Sequence, residues 1–101
     1  MKYLHYDLDF GPHDVAQINL EVPAYVRLTD DENYVAYRQG NQYRYHGGVA
    51  NASPANVKPP RPGHWHLIID LGGKEGEIIA NVHIVREKED DKKNKRLRRT
   101  S

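Results

Sequence analysis

Two histidines, His64 and His66, stand two residues apart in the run GHWHLIIDLGG. On a strand that spacing turns both imidazoles to one face. A third, His83, falls in the following run, EIIANVHIV. If residues 64–71 and 77–85 form a hairpin with Leu71 opposite Gly76, then Trp65 faces Val82, Leu67 faces Ala80 and Ile69 faces Ile78. That face is wholly apolar, which favours the register. The other face brings His64 to His83 and His66 to Asn81, with Ile68 against Ile79 and Asp70 against Glu77. Three imidazoles within cross-strand reach suit zinc, with Asn81, Asp70 or Glu77 behind them. Metal-assisted hydrolysis is the enzymatic chemistry such a centre would support. The plainer reading is a polar, half-solvated sheet face that needs no cofactor.

Tyrosine and arginine form the second constellation. All seven tyrosines lie between Tyr3 and Tyr45. Four of them, Tyr34, Tyr37, Tyr43 and Tyr45, share a short stretch with Arg38, Arg44 and His46. These are residue types favoured at the centres of protein interfaces, and they also pack well across sheets. No RNP-type pattern accompanies them, so a protein partner fits better than RNA.

Other chemistry is excluded. There is no cysteine, hence no disulfide scaffold, no Cys-based zinc site and no thiol catalysis. Serine occurs only at Ser53 and Ser101, which excludes a G-x-S-x-G elbow. No P-loop, dinucleotide fingerprint or H-E-x-x-H is present. The first ten residues, MKYLHYDLDF, carry two acids and do not resemble a signal peptide. No apolar run approaches the ~18 residues of a membrane span. A soluble, cytoplasmic protein is the expectation.

The elements that must position these groups read as β. The 101 residues suffice for one domain, but only 38% are hydrophobic and mean hydropathy is −0.87. The net charge of +1 hides two parts. Residues 1–85 carry 7 basic and 10 acidic side chains, and residues 86–101 carry 8 basic and 4 acidic. The second part has one large apolar residue, Leu97, and reads as a disordered basic tail. Its cations from Lys92 to Arg99 are a candidate nucleic-acid contact.

In the body, Leu4, Tyr6 and Leu8 alternate with Tyr3, His5 and Asp7. Ala16, Ile18 and Leu20 alternate with Val15, Gln17 and Asn19. Ala24, Val26 and Leu28 alternate with Tyr25, Arg27 and Thr29. Period two over short runs separated by Gly, Pro and Asn predicts strands. The acidic turn at residues 30–33 can cap a helical turn at 34–38. Residues 42–46 read as a short strand that Gly47-Gly48 ends. Pro54, Pro59, Pro60 and Pro62 bar residues 49–63 from a central strand. The P-x-x-P there reads as a stiff crossover. The expected fold is all-β, a small antiparallel sandwich or partly open barrel of six or seven strands. Its core is Trp65, Leu67, Ile69, Ile78, Ala80, Val82 and Ile84, joined by Leu4, Tyr6, Ile18, Leu20, Val26 and Leu28.

MKYLHY at the start, YVAYR at 34–38, YRYHGG at 43–48, Ser53-Pro54 and above all GHWHLIIDLGG at 63–73 resemble DUF1883, a bacterial family of unknown function. The resemblance covers residues 1–85. It implies an all-β domain of a kind sometimes fused to TIR-type signalling domains, and no catalytic residue transfers from it. Together these readings point to a non-catalytic recognition or accessory module that binds protein, linked to bacterial signalling or sensing. Exposed strand edges or the tyrosine face also allow a homo-oligomer. A zinc protein or metal-dependent hydrolase at His64, His66 and His83 is the alternative, and a nucleic-acid binder led by the tail is a third. Truncation after Val85 is expected to leave the melting temperature within a few degrees, measured by circular dichroism, because no core residue is removed. A large drop would show that the tail docks on the acidic body.

Overall fold

A computed structural model describes residues 2–86, so the tail beyond Arg86, with its cations from Lys92 to Arg99, lies outside the described residues. Among the described residues, seven strands and one helix follow in order. They are β1 (Tyr3–Phe10), β2 (Asp14–Leu20), β3 (Ala24–Thr29), α1 (Asp31–Arg38), β4 (His46–Ala50), β5 (Ala55–Val57), β6 (Gly63–Asp70) and β7 (Ala80–Arg86). One sheet has the order β1-β6-β3-β4 and the other β5-β2-β7. Every pair is antiparallel.

The two sheets share one core. Trp65, Leu67 and Ile69 of β6 and Val26 and Leu28 of β3 meet Ala16 and Ile18 of β2 and Val57 of β5 in a single buried cluster. Leu4, Tyr6, Leu8, Leu20, Ile78, Ala80 and Val82 pack around it. Full burial of such an aliphatic side chain stabilises by about 1.5–3 kcal/mol, so this sandwich interior is the main favourable term. The alternation of β1, β2 and β3 turns their apolar residues inward as expected. The proline-bearing segment supplies the end of β4 and the whole of β5, both edge strands.

The predicted hairpin between residues 64–71 and 77–85 does not form. β6 lies between β1 and β3, with Leu67 opposite Tyr6 and Leu28, and Ile69 opposite Leu4 and Val26. β7 pairs with β2 in the other sheet, and His83 stands opposite Gln17. Residues 71–79 carry the chain from one sheet to the other. Alternation specifies which face of a strand is buried, and both arrangements bury the same face. Ile84, expected in the core, is exposed, because β7 is an edge strand with no neighbour beyond it.

Two local differences have local causes. Residues 42–45 are not a strand, because the Arg44 N–H donates to Asn33 Oδ1 on the helix (2.7 Å) rather than to a ladder. Gly47 and Gly48 lie inside β4 and do not end it. At Gly47, with φ +119°, a Cβ would stand 2.2 Å from the Val26 carbonyl oxygen, so only glycine lets this edge strand approach β3.

The outer face of the larger sheet is covered too. α1 begins at the Asp30 cap, whose carboxylate accepts from the Asn33 N–H (2.9 Å). It carries Asp31 and Glu32 in its first turn and Arg38 in its last, matching the helix dipole. The helix lies over β6 and β3. Ile68, which alternation assigns to the polar face, is therefore fully buried, as is Asp70. The Asp70 carboxylate accepts from Arg27 Nη1 (2.7 Å) and from the Gly72 N–H (2.7 Å). Asp70→Asn should cost about 3–5 kcal/mol in urea unfolding, because it leaves the Arg27 charge buried without its partner. Arg27→Met combined with Asp70→Leu should recover much of that loss. A near-neutral single variant would show that the pair is solvated.

Candidate functional site

β1 and β6 bring one polar face together. Their register sets Asp7 opposite His66 and Asp9 opposite His64, and places His5 opposite Ile68. His5 Nε2 lies 2.9 Å from His66 Nδ1. Asp7 Oδ1 lies 3.1 Å from His66 Nδ1 and 3.1 Å from His64 Nε2. Asp9 Oδ1 takes the other nitrogen of His64, Nδ1, at 2.9 Å. From above, the first turn of α1 lowers Asp31 Oδ1 to 2.6 Å from His66 Nε2.

Tyr34, three residues further along the helix, covers this array. Its ring stacks on His5 (4.1 Å between centroids) and on His66 (4.5 Å). Its hydroxyl meets that of Tyr3 at 3.4 Å. Burial, followed by the Tyr3 contact, pushes the Tyr34 hydroxyl up to about 12. Burial likewise raises Tyr37 to about 12, with Asp70 adding to it. Both phenols therefore stay protonated at neutral pH. The two outer histidines move apart. Hydrogen bonds to Asp9 and then Asp7 raise the His64 imidazole above its ordinary 6.5. Burial lowers that of His5, only partly offset by Asp7.

Of the three histidines that the sequence suggested as a metal set, His64 and His66 do share this face. His83 does not, since it is exposed on β7 in the other sheet. Sequence reasoning missed His5, Asp7 and Asp31 as their companions. The signal was present in His5-x-Asp7-x-Asp9, whose alternation matches His64-x-His66. The pairing of β1 with β6 was not legible, because it joins residues about sixty positions apart.

The tyrosine–arginine segment divides. Tyr43, Arg44, Tyr45 and His46 line an open groove of about 890 Å³ with Asp30, Glu32, Asn33, Arg61 and Trp65. The Arg61 guanidinium lies 4.8 Å over the Trp65 ring, and the Trp65 indole N–H donates to the Arg61 carbonyl (3.1 Å). His46 meets the same ring edge-on at 5.7 Å. Tyr34, Tyr37 and Arg38 lie elsewhere. Tyr34 belongs to the histidine face, with Arg38 5.9 Å over its ring. Tyr37 packs edge-on against Tyr3 and Tyr43, each at 5.2 Å. Asp30 and Glu32 therefore serve the groove, while Asp31 between them serves the histidines.

A family model described as a domain of unknown function, DUF1883, matches residues 1–88. No curated protein and no solved structure matches the chain. Among the described residues, no helix is long and apolar enough to cross a membrane.

The opposed histidine shifts carry opposite pH signs. The raised His64 stabilises the fold below pH 6.5, and that contribution is lost as pH rises through its folded midpoint. The lowered His5 costs stability as pH falls below 6.5, where the unfolded ring takes a proton more readily. NMR titration in chelator should place the His64 midpoint above 6.5 and the His5 midpoint below it. Asp9→Asn should draw His64 back toward 6.5. Coincident midpoints would contradict the contacts described.

Proposed function

The chain belongs to the DUF1883 family, and we propose that it is a non-catalytic recognition module that holds a segment of a partner protein in the groove beside α1. The observation that carries this reading is the convergence of Tyr43, Arg44, Tyr45 and His46 with Arg61 and Trp65 on one concave surface. Tyr and Arg are favoured at interface centres because each combines a large apolar area with a polar tip, and here Trp65 forms the buried floor beneath Arg61. The groove carries both signs of charge, Asp30 and Glu32 on the helix side against Arg44 and Arg61 opposite. It therefore suits a peptide with an aromatic anchor flanked by mixed charges. The TIR-fused members implied by the family resemblance support a place in bacterial signalling or sensing, in the cytoplasm.

Arg44→Ala combined with Tyr45→Ala removes two exposed groove residues without entering the core. Affinity capture from the native cell should recover partners with the wild type that the double variant loses. A captured partner should bind the variant roughly 30-fold more weakly or worse, the factor for a hot-spot loss of ~2 kcal/mol. Recovery of the same proteins by both would place the interaction elsewhere.

A further inference from the structure

The histidine face is separate from that groove, and its geometry points to a different ligand. We propose that His5 Nε2, Asp7 Oδ1 and His66 Nδ1 form a binding site for a divalent transition-metal ion, zinc by the character of its ligands. Imidazole nitrogen with carboxylate oxygen is an established zinc donor set, and three protein ligands leave a position for water or a ligand.

The distances between the three atoms are the main argument. They form a triangle with edges of 2.9, 3.1 and 3.8 Å. Two ligands of a tetrahedral zinc stand ~3.3 Å apart when each bond is ~2.0–2.1 Å, and the three edges scatter about that value. The triangle's circumradius is ~1.9 Å, so a point ~0.7 Å off its plane lies a zinc bond length from all three atoms. The neighbouring trio of Asp31, His64 and His66 also lies close together. It fits less well, because Asp31 Oδ1 is only 2.6 Å from His66 Nε2. That separation is a hydrogen bond, too short for two donors of one tetrahedral ion.

The surrounding contacts prepare the three donors. In the tautomer that carries its proton on Nε2, His66 donates to Asp31 Oδ1 and its Nδ1 lone pair faces His5 and Asp7. A carboxylate behind a metal-binding imidazole fixes its tautomer and raises its basicity. His64, held by Asp9 at Nδ1, reaches Asp7 Oδ1 from Nε2 and orients the carboxylate. Tyr34 stacks on both His5 and His66 and limits their rotation. Asp7 is largely exposed, so the ion has a way in and the remaining position opens to water.

The test uses the full chain, stripped with chelator and titrated with cobalt(II), then competed with zinc. The wild type should bind one equivalent of cobalt with the intense visible absorption of a tetrahedral centre, which zinc abolishes. Asp7→Asn and His5→Ala should each weaken binding by at least ~100-fold, and Asp31→Asn by roughly 10–100-fold, the range for groups that orient a ligand. Asp7 is exposed, so its variant keeps the result readable if a histidine variant folds poorly. His83→Ala should bind as the wild type does. A wild type that takes up neither ion at micromolar concentration, or Asp7→Asn and His5→Ala variants that bind as tightly as the wild type, would overturn the site.

Discussion

From Trp65 to Asp70, β6 is buried on both faces. The inner face, Trp65, Leu67 and Ile69, is the centre of the inter-sheet core. The outer face, His66, Ile68 and Asp70, would in a two-layer sandwich look onto water. Excluding water there demands a third layer and a partner for every polar group, since an unpaired buried polar atom or charge is costly. Arg27 answers Asp70, Asp31 answers His66, and α1 with its tyrosines covers Ile68. The helix between β3 and β4 is thus the consequence of a central strand with chemistry on its outer side.

That layer is built economically from a short helix. Successive side chains on a helix point about 100° apart. Asp30 caps the first turn, Asp31 bends to the histidine face, Glu32 faces the groove, and Tyr34 returns over His5 and His66. The same eight-residue element therefore borders both candidate sites. A displacement of its first turn would be felt at both, through Asp30 on one side and Asp31 on the other.

Electrostatics differ between the two surfaces. The groove is bordered by acidic and basic side chains that remain in contact with water, where such charges contribute little to the stability of the fold. The histidine face holds imidazoles between carboxylates, partly shielded by the Tyr34 ring. Arg27 belongs to neither site and is structural. Burial disfavours its charge, but Asp70 holds it above its ordinary range, and the rings of Tyr25 and Tyr45 lie 4.5 and 5.2 Å from it.

Period-two alternation in the sequence was enough to determine the inward faces of β1, β2, β3 and β6, because a strand's side chains must alternate whatever it pairs with. The acidic turn marked a capped helix before Arg38, but the helix begins at Asp31, three residues ahead of the expected Tyr34, because Asp30 by itself supplies the cap and Asp31 and Glu32 join the first turn. The prolines barred the segment that supplies β5 from a central position. The tertiary structure alone decided that β6 joins β1 and β3, and that β7 crosses to β2. Backbone ladders are chemically alike from strand to strand, so local sequence does not name the partner. That single choice separated His83 from His64 and His66 and delivered His5, Asp7 and Asp31 in its place. The tyrosines were divided separately: the Arg44 N–H bonds to Asn33 where Tyr43 and Tyr45 line the groove, while Tyr34 and Tyr37 ride on the helix over the sheet.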